Sequence, residues 1–297
     1  MPDEAYADPP EDEQTATAAP RTGLVLVSTP IGNLGDLSAR AREALAASDL
    51  ILCEDTRHSA RLLSAIGVSV RTEPLHEYNE DARIAPVLAM LRAGRRVALI
   101  SDAGTPLVSD PGYRLVRAAI AEGFPIGAVP GPNAAVMALT LSGLPPQPFL
   151  FLGFPPPRSA ARRAAFGVLR SAERAGLTAT LIWHEAPHRL AETLADMALS
   201  FGPRAAAVAR ELTKHFEELR RGTLTDLAAH YAEHPARGEI TVLVGPPEED
   251  DQEDLDGQLT RALAAHSVKD AAALVSAATG LPRKLVYARA LAMSRPE

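Results

Sequence analysis

The feature that most constrains this chain is a recurring pair, a short apolar run followed by a turn of small residues, Pro and Asp. In the first half the runs are residues 24–27, 50–53, 97–100 and 126–129. Each run is the length of a buried strand, and helix-like patterns lie between the runs. This alternation predicts an open α/β sheet, and in such sheets ligands bind beyond the carboxyl ends of the strands.

A Pro-rich stretch at residues 143–148 separates this half from a second group of apolar runs. Proline fixes φ and removes a hydrogen-bond donor, so the stretch is typical of a stiff linker. The segments ending at Lys214 and beginning at Phe216 are predicted to be antiparallel neighbours, which makes the second sheet mixed. We therefore predict two α/β domains, at residues 22–145 and 146–247.

Two acidic segments flank these domains. Residues 1–21 are acidic and rich in Pro and Ala, which predicts a disordered tail, and residues 248–254 form an acidic linker. The final segment, 255–297, has three helical patterns with a turn at Gly280. It predicts a small helix-turn-helix-like domain, although the pattern also suits helices that cap the second domain or a dimer interface.

Composition argues against a non-specific RNA-binding protein, a disulfide-bonded protein and a membrane protein. The formal net charge of −7 argues against simple non-specific RNA binding, although much of the acid lies in the two flanking segments. The single cysteine, Cys53, allows no internal disulfide and is predicted to be a packed strand residue. No apolar stretch approaches the ~20 residues of a membrane span, and the N-terminus lacks a signal pattern, so we expect a cytoplasmic protein without membrane contact.

Several familiar motifs are absent from the sequence. There is no Walker A motif, no GxGxxG after the first strand and no GxSxG elbow. The histidines are scattered, and Pro187 lies between His184 and His188, where it breaks the helix that a metal-binding pair would need. We therefore expect no metal site.

Four turns that follow apolar runs are the candidates for a functional site. The first spans residues 28–36, where Gly32 and Gly35 permit unusual backbone geometry and Asn33 is available to a ligand. Asp36 is predicted to be the N-cap of the following helix.

The second turn carries Glu54, Asp55 and Arg57 directly after a strand. These residues form either a surface ion-pair cluster or, because they follow a strand end, part of a site.

The third turn, residues 101–112, is the most informative. Its small residues let a ligand approach the backbone, its two prolines stiffen it, and Asp102 and Asp110 can accept hydrogen bonds from ribose hydroxyls or an amine. The fourth turn, residues 130–135, has the same character. Neither an ordinary helix nor a strand explains the third turn, which therefore predicts ligand binding.

Six motifs follow one another in an order seen in one enzyme family. They are residues 29–34, 54–58, 101–112, 130–132, 209–214 and 238–239. In this order they resemble the tetrapyrrole-methylase-like (class III) methyltransferases, over about residues 23–245. The final helices resemble a small domain appended in the members of this family that modify small-subunit ribosomal RNA. Each motif alone is weak, but the series is specific.

The resemblance implies two α/β domains with S-adenosylmethionine in a cleft between them, and usually a homodimer. It also implies, by position, which residues contact the cofactor. These are Pro30, Asp102, Ala103, Gly104, Thr105, Leu107, Asp110, Asn133, Ala134, Trp183, Ala209, Gly238, Glu239 and Ile240.

The same resemblance implies 2′-O-methylation of a cytidine in the decoding region of 16S ribosomal RNA, with this RNA or the small ribosomal subunit as partner. Glu54 and Asp55 are candidates to remove the hydroxyl proton, and Arg57 is a candidate to bind a phosphate. The basic residues expected to meet RNA are Arg158, Arg162, Arg163, Arg283, Lys284 and Arg289.

Two alternatives stay open. A methyltransferase acting on a tetrapyrrole would share the fold and the cofactor loop, but the extra helical domain and the 54–57 motif argue against it. A non-enzymatic helix-turn-helix regulator with a ligand-sensing body is disfavoured by the acidic net charge and the single terminal motif.

Overall fold

The computed structural model describes residues 23–247, 255–279 and 282–294. The predicted tail at residues 1–21, the predicted linker at 248–254 and the predicted turn at Gly280 lie outside the described residues. Contacts within the chain divide it into two compact units, the first ending at Asn133 and the second beginning at Ala134.

The first unit is built on a five-stranded parallel sheet. Its strands are β1 (Gly23–Val27), β2 (Leu50–Cys53), β3 (Thr72–Pro74), β4 (Arg96–Ile100) and β5 (Ile126–Val129). The strand order is β3-β2-β4-β1-β5, and each neighbouring pair is parallel. The predicted open α/β sheet is confirmed.

Helices pack on both faces of this sheet. They are α1 (Ala39–Ala46), α2 (Thr56–Ala65), α3 (Glu80–Arg92) and α4 (Tyr113–Ala121). Because strand side chains alternate between faces, Leu24 packs with Leu115 of α4 whereas Val25 packs with Leu63 of α2. Cys53 is buried in the cluster of Val25, so its prediction as a packed strand residue is confirmed.

The first turn differs from the prediction at the start of α1. Ser38, not Asp36, is the N-cap, since its hydroxyl accepts a hydrogen bond from the Ala41 N–H at 3.1 Å. Asp36 ends a short 3-10 turn in which the Asn33 side chain accepts from the Gly35 N–H at 2.9 Å. The Asp36 prediction was wrong because this extra turn displaces the helix start.

The second unit contains a mixed sheet, as predicted. Its strands are β6 (Phe149–Phe151), β7 (Thr180–Glu185), β8 (Ala205–Arg210), β9 (Glu218–Thr223) and β10 (Ile240–Val244). The order is β6-β7-β10-β8-β9, and only the β6–β7 pair is parallel.

Four helices accompany this sheet. They are α5 (Ala134–Ser142), α6 (Ser159–Arg174), α7 (Leu190–Phe201) and α8 (Leu224–Glu233). Helix α5 packs on β8 and β10, and contacts therefore assign it to the second unit, whereas the sequence placed the domain boundary after residue 145. No prediction covered α6, whose Phe166 lies at 5.6 Å from Trp183 and 5.4 Å from Phe201 between ring centroids.

Three C-terminal helices have a small core of their own. They are α9 (Leu255–Ala265), α10 (Val268–Thr279) and α11 (Arg283–Met293), which match in number the three helical patterns predicted for residues 255–297. Leu259, Val275 and Val286 form this core with Ala272 and Ala290. Within the described residues, no helix is both long and apolar enough to cross a membrane.

Candidate active site

Three of the predicted turns meet at the carboxyl edge of the first sheet. Thr29, after β1, exchanges two backbone hydrogen bonds with Gly104, after β4, at 2.9 and 3.1 Å. The Thr105 hydroxyl donates to the Pro132 carbonyl at 3.1 Å, and the Asn133 amide donates to the Thr105 hydroxyl at 3.4 Å. The turns after β1, β4 and β5 are therefore joined into one surface.

The third turn has a constrained backbone. Leu107 and Ser109 adopt φ values of 71° and 68°, which non-glycine residues rarely do. Gly112 has φ +120°, and a Cβ atom there would lie 2.5 Å from Leu99 Cδ2, so no other residue fits without displacement. Non-glycine residues held at such angles concentrate at ligand sites, which supports the predicted role of this turn.

Three carboxyl groups of the first unit influence one another. Burial raises the pKa of Asp110 to about 7, and the negative charges of Glu54 and Asp102 add to the rise. Burial also raises the pKa of Glu54, again with help from Asp102. Asp102 accepts a hydrogen bond from the Asp55 N–H at 3.2 Å, which connects the second turn to the third.

Asp55 is held differently from its neighbour. Its carboxylate caps α2 by accepting from the Arg57 N–H at 2.8 Å, and it pairs with the Arg57 guanidinium at 3.2 Å. The hydrogen bonds from Arg57 lower the pKa of Asp55. The turn therefore has features of both interpretations. Asp55 and Arg57 form a surface ion pair, and the adjacent Glu54 has the raised pKa expected of a site residue.

The predicted contacts in the second unit lie on strands β7, β8 and β10, just before β10, and at the start of α5. Ile240 pairs with Arg210, and Thr241 pairs with Ala209, so Gly238 and Glu239 lie just before the start of β10. The backbone of Trp183 pairs with Val242 in the middle of the sheet. Ala134 is the first residue of α5.

The Trp183 side chain belongs to the core. It is 3% exposed and packs against Phe166 and Phe201, so only its backbone is available to a ligand. His184 points to the opposite face, with Nδ1 at 3.1 Å from the Thr241 hydroxyl. Burial lowers the pKa of His184, so the ring is neutral at pH 7.

The sequence did not predict an arrangement around Gly238. Glu211 has φ 52° and Gly238 has φ +83°, and a Cβ atom on Gly238 would lie 2.3 Å from the Glu211 carboxyl group. Glu211 accepts hydrogen bonds at 2.9 Å from both the Glu239 N–H and the Lys214 ammonium. Both residues fall within motifs that the sequence analysis singled out, but only the fold reveals that they touch.

One predicted RNA contact is wrong. Arg162 is completely buried, and its guanidinium pairs with Asp196 at 2.6 Å and with Glu192 at 2.9 Å. A buried, paired cation cannot reach a phosphate. Five other predicted basic residues are exposed, namely Arg158, Arg163, Arg283, Lys284 and Arg289.

His184 and His188 do not lie on one helix, as the proline between them predicted. Pro187 begins a 3-10 turn (Pro187–Arg189), so His184 in β7 and His188 share no helix. In the described ranges, no group of three or more His, Cys, Asp and Glu side chains is placed to hold a metal ion.

Two family models match the chain. Residues 23–228 match the Tetrapyrrole (Corrin/Porphyrin) Methylases, and residues 249–294 match the RsmI C-terminal HTH domain. The second match confirms the helix-turn-helix prediction for the final helices. The first runs from β1 into α8, so it covers the first sheet and four of the five strands of the second.

Named relatives align with most of this chain. Ribosomal RNA small subunit methyltransferase I of Mesorhizobium japonicum is 47% identical over 272 residues, covering 90% of this chain and 91% of that protein. The protein of the same name from Micromonospora olivasterospora is 47% identical, covering 89% and 85%.

Solved structures share the fold. Uroporphyrin-III C-methyltransferase from Thermus thermophilus, complexed with S-adenosyl homocysteine, has a TM-score of 0.54 at 18% identity, over 75% of this chain and 97% of that chain. At this identity the likeness concerns the fold alone. Together with the family matches and the relatives, it leads to one conclusion: the chain belongs to the tetrapyrrole methylase family of methyltransferases, and within it to the group of ribosomal RNA small subunit methyltransferase I.

Proposed function

We propose that this methyltransferase transfers the methyl group of S-adenosylmethionine to the 2′-hydroxyl of a cytidine in the decoding region of 16S ribosomal RNA. The observation that carries the proposal is a carboxyl group with a raised pKa, Glu54, three residues before an exposed arginine, Arg57, at a strand end. Relatives named for the small-subunit RNA, aligned over about nine tenths of this chain, support the choice of substrate.

The residues of the third turn fit the proposed cofactor. S-adenosylmethionine carries an amino group, ribose hydroxyls and a positively charged sulfur, and carboxylates are suitable partners for all three. Asp102 supplies such a carboxylate, and Asp110 supplies a carboxyl group that accepts hydrogen bonds in either protonation state. Gly104, at φ +83°, lets this turn pack closely on Ile31, which lies 3.2 Å from the position of an added Cβ. We propose contacts at Pro30, Asp102, Ala103, Gly104, Thr105, Leu107, Asp110 and Asn133, and in the second unit at Ala134, Ala209, Gly238, Glu239, Ile240 and the Trp183 backbone.

When bound, S-adenosylmethionine supplies a methyl group on a sulfonium, which is a good leaving group. The protein then has to align the ribose hydroxyl and help it lose its proton. Glu54 is suited to accept that proton, because burial raises its pKa and so strengthens its conjugate base. In this proposal Glu54 would hold the proton of the ribose 2′-hydroxyl on a carboxylate oxygen, and the cofactor would supply the methyl group and leave as a neutral thioether.

Asp55 and Arg57 have a supporting role in this proposal. The low pKa of Asp55 makes it a weak base, but its carboxylate fixes one side of the Arg57 guanidinium. The Arg57 side chain is 90% exposed, so its remaining N–H groups are free to meet a phosphate of the RNA. The pair thereby orients the backbone next to the target ribose.

The substrate class is tested by offering two acceptors. Full-length protein is incubated with labelled S-adenosylmethionine and either small ribosomal subunits or a porphyrinoid. We expect label on the ribosomal RNA alone, and mapping the RNA mass in a strain lacking the gene, before and after complementation, locates the nucleotide. Transfer to the porphyrinoid alone would favour a tetrapyrrole methyltransferase instead.

We also propose that the protein acts as a homodimer in the cytoplasm, where its RNA substrate is found. Light scattering on the purified chain tests the first part. A molar mass near that of a single 31.4 kDa chain at working concentration would contradict it.

A further inference from the structure

A tyrosine is presented to solvent on a hydrogen-bonded loop of the first unit. Tyr78 is 95% exposed and lies in the segment after β3. The loop is fixed by Asn79, whose side chain accepts from the His76 N–H at 2.8 Å and donates to the Pro74 carbonyl at 3.0 Å. A single exposed aromatic side chain is common on protein surfaces, so a binding role for Tyr78 has to be argued from the residues around it.

His76 connects Tyr78 to Glu54. The two rings lie 6.3 Å apart between centroids, and the charge of His76 is close enough to oppose the rise in the pKa of Glu54. His76 Nδ1 is buried without a hydrogen-bond partner among the described atoms. His76 therefore lies near both the proposed general base, Glu54, and the exposed tyrosine.

Two exposed arginines lie on α2, the helix that begins two residues after Glu54. Ser59 and Leu63 are the buried residues of the helix, and Arg57 and Arg61 are on the opposite side, one turn apart. Arg57 is partly neutralised by Asp55. Arg61 forms no ion pair with any residue in the described part of the chain, which leaves its positive charge available.

Resting on the proposed function, we infer that Tyr78, Arg57 and Arg61 bind the substrate RNA as an unpaired strand. Tyr78 stacks on a base next to the methylated nucleotide, and the two arginines bind its phosphates. Aromatic stacking requires a base that is free of a duplex, and phosphate contacts fix position without selecting sequence. The exposed Tyr78 ring, the charge of Arg61 (unpaired within the described residues) and the nearby general base, Glu54, favour single-stranded RNA as the partner over a protein surface.

The test uses full-length protein and an unstructured RNA oligonucleotide, with the duplex of the same sequence as a second probe. Tyr78→Ala is expected to weaken binding of the single strand by roughly tenfold, whereas Tyr78→Phe keeps the ring and the affinity. Arg61→Gln is expected to lower the slope of log K against log salt by about 0.7. Arg117→Gln, an exposed arginine of α4, is the matched control and changes neither quantity.

Methylation of small ribosomal subunits separates this inference from the proposed function. Tyr78→Ala should raise KM for the subunits and leave kcat and S-adenosylmethionine binding unchanged. If wild type methylates the subunits while Tyr78→Ala has an unaltered KM and oligonucleotide affinity, the inference is wrong and the function stands. Equal affinity of the wild type for the duplex and the single strand would also overturn the inference. So would a molar mass of Tyr78→Ala that differs from that of wild type in light scattering, which would indicate that Tyr78 contacts a second copy of the chain. If wild type methylates no RNA, the proposed function itself fails.

Discussion

Glu54 and Asp55 are adjacent in sequence, yet their carboxyl groups have opposite properties. Burial and the charge of Asp102 raise the pKa of Glu54, whereas hydrogen bonds from Arg57 lower that of Asp55. The sequence could indicate only that acidic residues follow a strand. Which of them is the better base depends on the cap of α2 and on the neighbouring third turn.

The two carboxylates are distinguished by paired amide variants. We expect Glu54→Gln to lower kcat for RNA methylation by about a hundredfold or more, because a general base contributes on that scale. Asp55→Asn retains a good N-cap and should lose less than about tenfold, mainly through a freer Arg57. Single-turnover rates at saturating RNA measure both, and equal losses would refute the distinction.

Asp110 links the stability of the protein to pH. Its pKa is raised in the folded state from 3.8 to about 7, so the folded form holds a proton that the unfolded chain releases. The resulting stabilisation is complete below the unfolded pKa and is lost as pH rises through about 7.

Asp110→Asn removes this loss because its side chain stays neutral. The melting temperature of the variant, relative to that of wild type, should therefore be higher at pH 8 than at pH 5. Thermal denaturation by circular dichroism at the two pH values gives the comparison. A difference that is the same at both would show that Asp110 ionises normally.

At the scale of elements, the sequence pattern predicted the short apolar strands and missed a helix whose buried face contains a charged residue. The runs at β1, β2, β4 and β5 were recognisable because all four are short and apolar. Helix α6 was missed because its buried face combines Phe166 with Arg162, and a buried arginine has no signature in an apolar pattern. Its partner Asp196 lies on α7, which only the fold brings near.

For the candidate site, the sequence predicted the turns but not the long-range contact between Glu211 and Gly238. Glycine, proline and aspartate marked the turns after strands, since those residue types are rare inside helices and sheets. The contact of Glu211 with Gly238 had no local signal, because it joins the end of β8 to the start of β10. Long-range pairings of this kind follow from topology and not from spacing.

Gly238→Ala tests whether that contact is structural. The added Cβ would meet the Glu211 carboxyl group, and φ is +83°, so we expect a loss of about 1–3 kcal/mol in the free energy of unfolding. Gly123→Ala is the matched control, with φ +77° and no atom within 4 Å of the added carbon.

Urea denaturation of both variants gives the comparison. Gly238→Ala should be the less stable one, and adding Glu211→Ala to it should recover part of the loss. Equal midpoints for Gly238→Ala and Gly123→Ala would mean that backbone geometry alone sets the cost.

At the scale of the whole molecule, the C-terminal helices have a hydrophobic core of their own. Their core residues belong to a cluster distinct from those of the two sheets. We expect a chain ending at residue 254 to bind RNA more weakly and to bind S-adenosylmethionine as the full chain does. Calorimetry and RNA-binding titrations compare the two, and equal RNA affinity would contradict the assignment of these helices to RNA binding.

The central claim is tested most directly by the nucleoside that receives the methyl group. Small ribosomal subunits from a strain lacking the gene are incubated with the purified protein and labelled S-adenosylmethionine, and the 16S RNA is digested to nucleosides for mass spectrometry. The account predicts label in 2′-O-methylcytidine from the decoding region, greatly reduced with Glu54→Gln. Label in a base-methylated nucleoside, or none in the RNA, would contradict it.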